Sequence, residues 1–147
     1  MNKSYTIHNL EKLDLFAQEL ISVVRGQASH NQATVVTLSG DLGAGKTTLT
    51  QMIGKQVGVT DPISSPTFVI SKYYDLKNQP WQRLIHIDAY RLDGEPLEPL
   101  GFDDLFTDPT NLIVIEWPEY IESVLPPNRT DISISINPDE SRILEIN

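Results

Sequence analysis

The chain has 147 residues, 20 acidic against 11 basic, a formal net charge of −9 and no cysteine. A chain of that length is expected to fold as one domain that buries about two-thirds of the surface its unfolded form exposes, and the missing thiols exclude a disulfide framework, a thiolate metal centre and a Cys nucleophile. Only five of the basic residues are Arg, so the protein is not expected to grip a nucleic-acid backbone unaided; lacking a signal-peptide head and any run of roughly 20 apolar residues, it is expected to be soluble and cytoplasmic.

In chain order, "HNLEKLDLFAQELISVVRG" places Leu10, Leu13, Phe16, Ala17, Leu20, Ile21 and Val24 at helical spacing. Asn9 suits the N-cap of this helix and Gly26 lies just past its expected end. After the polar loop "SHNQA", the β-branched run "TVVTLS" predicts a buried strand, and "KTTLTQMIGKQVGV" predicts a helix from Lys46 to about Val57, ended by Gly58. The loop "TDPISSP" leads to "TFVISKYYDL", the turn "KNQP" and "WQRLIHIDAY", a two-stranded hairpin pattern. The Pro-punctuated "DGEPLEPLGFDDLF" predicts a short acidic helix near Leu100 to Phe106. "NLIVIEW" is a continuous apolar run, as in a strand covered on both faces. "PEYIESVL" predicts a helix with Pro118 in its first turn, and "TDISISIN" with "SRILEIN" predicts a closing antiparallel pair. The pattern implies an α/β fold: a single P-loop NTPase-like domain over residues 1–147, with a partly parallel mixed sheet flanked by helices.

Gly40, Gly45, Lys46 and Thr47 satisfy the spacing G-x-x-x-x-G-K-[ST], between a predicted strand and a predicted helix. Polyphosphate oxygens need backbone N–H groups at close approach, which glycine permits, and the following helix turns its positive end toward them. The nucleotide-binding candidates are therefore Asp41, Leu42, Gly43, Ala44, Gly45, Lys46, Thr47 and Thr48. Lys46 would reach the terminal phosphates and the Thr47 hydroxyl would bind Mg²⁺.

A phosphate loop needs carboxylates at neighbouring strand ends to hold the waters of Mg²⁺. Two apolar runs end in one: "RLIHID" at Asp88 and "LIVIE" at Glu116. Both are assigned to the metal and its waters, with Glu116 also a candidate to orient attacking water. In "SSPTF", Thr67 is a candidate sensor of the terminal phosphate with Ser65 supporting the turn, although Ser-Pro-Thr is also ordinary turn chemistry. His86 shares a strand face with Asp88 and suits a structural or a catalytic role. Arg91 can reach transition-state charge or pair with a surface acid. Trp117 can cover a site or pack under a loop.

A GTPase would carry N-K-x-D, and the only "NK" here is followed by Ser and Tyr. No LSGGQ-like element of a transporter ATPase is present. A nucleoside or nucleotide kinase is the stronger rival, but "LDGEPLEPLGFDDLF", the segment available as a lid, is acidic and would repel the transferred phosphate.

The ordered set "GDLGAGKTT", "SPTF", "HIDAYR", "LGFDDLF" and "IEWPE" resembles the bacterial TsaE family of accessory ATPases, from Asn9 to about Pro126. The resemblance implies ATP and Mg²⁺ as ligands, the TsaB and TsaD proteins as partners, and tRNA threonylcarbamoyladenosine modification as the pathway, with tRNA reached only through the complex. It implies that Lys46 contacts phosphate, Thr47 ligates Mg²⁺ and Thr67 is the switch hydroxyl. It further implies that Asp88 and Glu116 are the acids of the metal site and that Trp117 lies beside the nucleotide. Many members carry an aromatic residue and then Arg or Lys before a Gly after the loop, where this chain reads "LTQMIG".

Overall fold

A computed structural model describes residues 3–64 and 70–147, so Thr67 and Ser65 of "SSPTF" lie outside the described residues. The strands are β1 (Lys3–Ile7), β2 (Thr34–Ser39), β3 (Ser71–Asp75), β4 (Arg83–Asp88), β5 (Asn111–Glu116), β6 (Thr130–Ile136) and β7 (Arg142–Ile146), and the helices are α1 (Leu10–Gly26), α2 (Lys46–Gln56) and α3 (Phe102–Phe106). They form one sheet in the order β1-β7-β6-β2-β5-β4-β3. The β6-β2-β5-β4 centre is parallel, and the β6–β7, β1–β7 and β3–β4 pairs are antiparallel. This is the expected mixed α/β sheet, with the expected β3–β4 hairpin and closing β6–β7 pair.

Period-two alternation divides the core. Val36, Leu38, Leu84, Leu112 and Val114 pack under α1 and α2 with Leu20, Ile21, Leu49 and Ile53. Val35, Ile85, Ile87, Ile113 and Ile115 face the other way, onto Phe102, Phe106 and Ile121. Every residue of β5 is buried, as its apolar run requires between two parallel neighbours. Asn9 caps α1, its side chain accepting the Lys12 N–H at 2.9 Å. Gly26 is the last residue of α1 rather than the residue beyond it. Gly54 in α2 leaves the space that Ile63 fills, since a Cβ there would lie 2.2 Å from Ile63 Cδ1.

Three elements differ from expectation. β1, whose residues other than Ile7 are at least partly exposed, is a strand because β7 offers it an edge. The acidic helix starts at Phe102, after a 3₁₀ turn at Glu98–Leu100 and a left-handed Gly101. Pro118–Val124 is 3₁₀, broken at Ile121 (φ −129°, ψ 24°), rather than a regular α-helix. Ile121, where the helical dihedrals break, is fully buried in the core cluster of Ile85, Ile87, Ile113 and Ile115. No helix among the described residues is long and apolar enough to cross a membrane.

Candidate functional site

β2 ends at Ser39, and the chain turns into α2 through a loop in which Gly40, Gly43 and Gly45 all have positive φ. Gly40 is needed for space as well: a Cβ there would lie 2.6 Å from the Ile134 carbonyl oxygen of β6. Gly45 caps α2 in the left-handed region without any side-chain hydrogen bond, and the first turn of α2 holds no acid. The leading N–H groups of the helix are thus left for an anion, reinforced by the positive end of the helix dipole.

Lys46 is buried, and its Nζ donates to the carbonyls of Gly40 (2.5 Å) and Asp41 (3.0 Å). The same ammonium sits 4.1 Å from the centroid of the Trp117 ring. Burial pushes it below the ordinary lysine range, against the pull of Glu116, Glu119, Asp88 and Asp41, which favour the charge. Trp117 reaches this position because the chain leaves β5 through a left-handed residue, Trp117 itself (φ 59°, ψ 50°). Its ring stacks on Tyr120 (5.9 Å between centroids, 13° between planes) and meets Tyr90 at 5.0 Å.

The two acids are register partners at the ends of adjacent parallel strands, Asp88 of β4 opposite Glu116 of β5. Glu116 is 3% exposed. The Thr47 hydroxyl lies 3.3 and 3.2 Å from its two carboxylate oxygens, and His86 Nε2 lies 2.5 Å from its Oε2. Asp88 Oδ1 accepts the Tyr90 N–H at 3.0 Å, which starts the turn leaving β4. Leu42, Gly43, Gly45, Lys46, Thr47, Thr48, Asp88, Glu116 and Trp117 thus line one open cleft of about 270 Å³. Asp41 stands outside its lining and acts through its carbonyl, which also accepts the Ala44 N–H. Arg91 is exposed on the short 3₁₀ turn Tyr90–Leu92 and does not line the cleft.

The donor set is one hydroxyl and two carboxylates, all hard oxygens. Among the described residues no group of three or more His, Cys, Asp and Glu side chains could hold a metal ion alone. That donor chemistry fits Mg²⁺, a hard cation bound through oxygens and waters.

On the other side of the loop lies a second cleft, of about 220 Å³, which the sequence did not reveal. Ala44, Gly45 and Thr48 form its loop edge, facing Leu10, Leu13 and Leu144. Arg142 also lines it and ties β7 to the loop, Nε donating to the Ala44 carbonyl at 3.0 Å. Leu10 and Arg142 are legible separately, but the strand order that makes them neighbours of Gly45 is not local information.

Comparison with known proteins places these features among close relatives. The family model described as "Threonylcarbamoyl adenosine biosynthesis protein TsaE" matches residues 7–144. The chain is 42% identical over 108 residues to the tRNA threonylcarbamoyladenosine biosynthesis protein TsaE of Bacillus subtilis, a match spanning 74% of this chain and 65% of that protein. It is 47% identical over 88 residues to that of Streptomyces coelicolor (58% and 57% of the two chains). With the protein of Haemophilus influenzae it shares 38% over 118 residues (78% and 70%). The chain thus spans about two-thirds or less of the length of the first two relatives. The crystal structure of Bacillus subtilis YdiB superposes with a TM-score of 0.71 at 28% identity, covering 99% of this chain and 84% of that one.

Proposed function

Because this chain belongs to the TsaE family of threonylcarbamoyl adenosine biosynthesis proteins, we propose that it binds and hydrolyses ATP as an accessory protein of tRNA threonylcarbamoyladenosine modification. In this reading it works in the cytoplasm with TsaB and TsaD, and meets tRNA only through that complex. The observation that carries the reading is the convergence of an uncapped α2 N-terminus, Lys46, Thr47, Asp88 and Glu116 on one cleft beside a phosphate-loop backbone.

The two clefts meet at Gly45 and Thr48. The polyphosphate lies on the acid-lined side, and the nucleoside on the side of Leu10, Leu13 and Leu144. Lys46 exchanges the Gly40 and Asp41 carbonyls for phosphate oxygens, which return the charge-assisted bonds it gives up. Thr47, Asp88 and Glu116 would hold Mg²⁺ and its waters, and the ion, when bound, supplies neutralisation of the charge on the terminal phosphates. Glu116 orients the attacking water, and Thr67 senses the terminal phosphate.

Among the described residues Lys46 is the single cation lining the acid-lined cleft. A missing arginine finger costs roughly 10³–10⁵ in rate. Turnover is therefore feeble alone and stimulated by the partner pair.

The test is ATP hydrolysis by the protein alone, with TsaB and TsaD, and with tRNA added, run beside a screen of small phosphate acceptors. Phosphate passing to water, faster with the partners, is the expected outcome. Efficient transfer to a nucleoside or nucleotide without partners would make the protein a small-molecule kinase instead, and equal turnover with and without TsaB and TsaD would remove the gating role.

A further inference from the structure

His86 is fully buried on β4 and faces the same side of the sheet as Asp88 and Glu116. Its Nε2 meets Glu116 Oε2 at 2.5 Å, while its Nδ1 is buried and finds no hydrogen-bond partner among the described residues. An ionised carboxylate only accepts, so Nε2 is the donor of this contact. A buried polar ring with one nitrogen unmatched is costlier than an apolar side chain of similar volume in the same place. The imidazole therefore earns its position by what Nε2 does.

The last torsion of a Glu side chain is broad and roughly two-fold, so a carboxylate at a strand end is not aimed by its own rotamer. Here Oε2 is held by His86 at 2.5 Å, and the carboxylate so oriented presents both oxygens to the Thr47 hydroxyl, Oε1 at 3.3 Å and Oε2 at 3.2 Å, at the cleft. We propose that His86 is a positioning residue: its Nε2–H locks the Glu116 carboxylate in the orientation that receives Mg²⁺ and its waters beside Thr47. This rests on the Mg²⁺·ATP reading above. His86 itself does not face the nucleotide, since it does not line the cleft.

The experiment measures, for the full chain, the affinity of a non-hydrolysable ATP analogue in excess Mg²⁺ and again in chelator. Hydrogen-bonded outer partners of metal ligands are worth about 10–100-fold in metal affinity. His86→Leu is thus expected to cut the Mg²⁺-dependent gain in affinity by about that factor and to leave chelator-condition binding unchanged. His86→Gln, whose amide nitrogen reaches the place of Nε2, restores most of the gain. His86→Asn, whose amide stops near Nδ1, does not, and the Gln and Asn variants decide the matter if the Leu variant fails to fold. An unchanged Mg²⁺ gain in His86→Leu, an equal loss with and without Mg²⁺, or Gln and Asn variants that behave alike would each overturn the proposal. Wild-type protein showing no Mg²⁺-dependent nucleotide binding would overturn the functional reading itself, and this inference with it.

Discussion

On the β5 side of the phosphate loop the cleft is walled by Lys46, Thr47, Asp88 and Glu116, whereas on the β6–β7 side it is walled by Ile7, Leu10, Leu13, Ile134 and Leu144. Both share the Gly45 and Thr48 edge. The polar wall holds charges at partly desolvated positions, where each removed group leaves a partner unmatched. The other wall offers mainly apolar area, at about 25 cal/mol per Å², with His8, Glu140 and Arg142 among its lining residues. In the proposed reading chemistry and anchoring fall to one side and nucleoside contact to the other, which predicts unequal consequences of mutation.

The largest effect is expected at Glu116. Glu116→Ala should slow ATP hydrolysis by about 10²–10³-fold, the scale of one preorganised electrostatic group, while nucleotide affinity in excess Mg²⁺ falls less, by the roughly 10–100-fold expected of His86→Leu. Single-turnover hydrolysis and equilibrium binding measured on the same preparation separate the two, and equal losses would make Glu116 a binding acid only. Next is Lys46→Ala, expected to weaken ATP binding by roughly 100-fold, the scale of one charge-assisted contact, and to weaken inorganic triphosphate binding as much. Because burial lowers the Lys46 pKa from 10.5, the charge is lost at a lower pH than on an exposed lysine. Triphosphate affinity of the wild type should therefore fall as pH rises below that value, and the Ala variant should lose this slope.

Gly40→Ala probes the close approach of the glycine loop to β6. Its new Cβ would meet the Ile134 carbonyl at 2.6 Å, with φ at 156°. Overpacking of this kind costs about 1–3 kcal/mol, readable as a lower denaturation midpoint, and a variant as stable as the wild type would show that β6 gives way freely. The smallest effect is expected at Leu10, 62% exposed at the start of α1. Leu10→Ala removes about 1–2 kcal/mol of apolar contact at most, or five- to thirtyfold in ATP affinity, and leaves inorganic triphosphate untouched. Equal loss for both ligands would place the nucleoside elsewhere.

Much of the frame was legible locally. Asn9, the 3.6-residue stripe from Leu10 to Val24 and the wholly apolar β5 announce themselves because capping and burial act within a few residues. β1 was not legible, since Lys3–Ile7 is an edge strand whose conformation is stabilised by pairing with β7 rather than by its own pattern. The helix expected over "PEYIESVL" yielded to 3₁₀ turns because Ile121 is drawn onto the sheet. Asp88 and Glu116 were legible as strand-end acids, but their standing opposite one another depends on the β4–β5 register. His86 was ambiguous for the same reason: its partner lies 30 residues away on another strand.

By itself, the sequence determined the glycine loop ahead of α2, because G-x-x-x-x-G-K-T favours positive-φ turns and a helix start within a span of eight residues. It also determined that two apolar runs end in acids. Only the tertiary structure decided what surrounds that loop: Trp117 laid over Lys46, His86 tied to Glu116, and an apolar cleft closed by α1 and β7. The physical reason is range. Backbone dihedrals and capping are set by neighbours in the chain, whereas the aim of a carboxylate and the shape of a cleft are set by which strands lie side by side, and that follows from how the whole sheet buries its two faces.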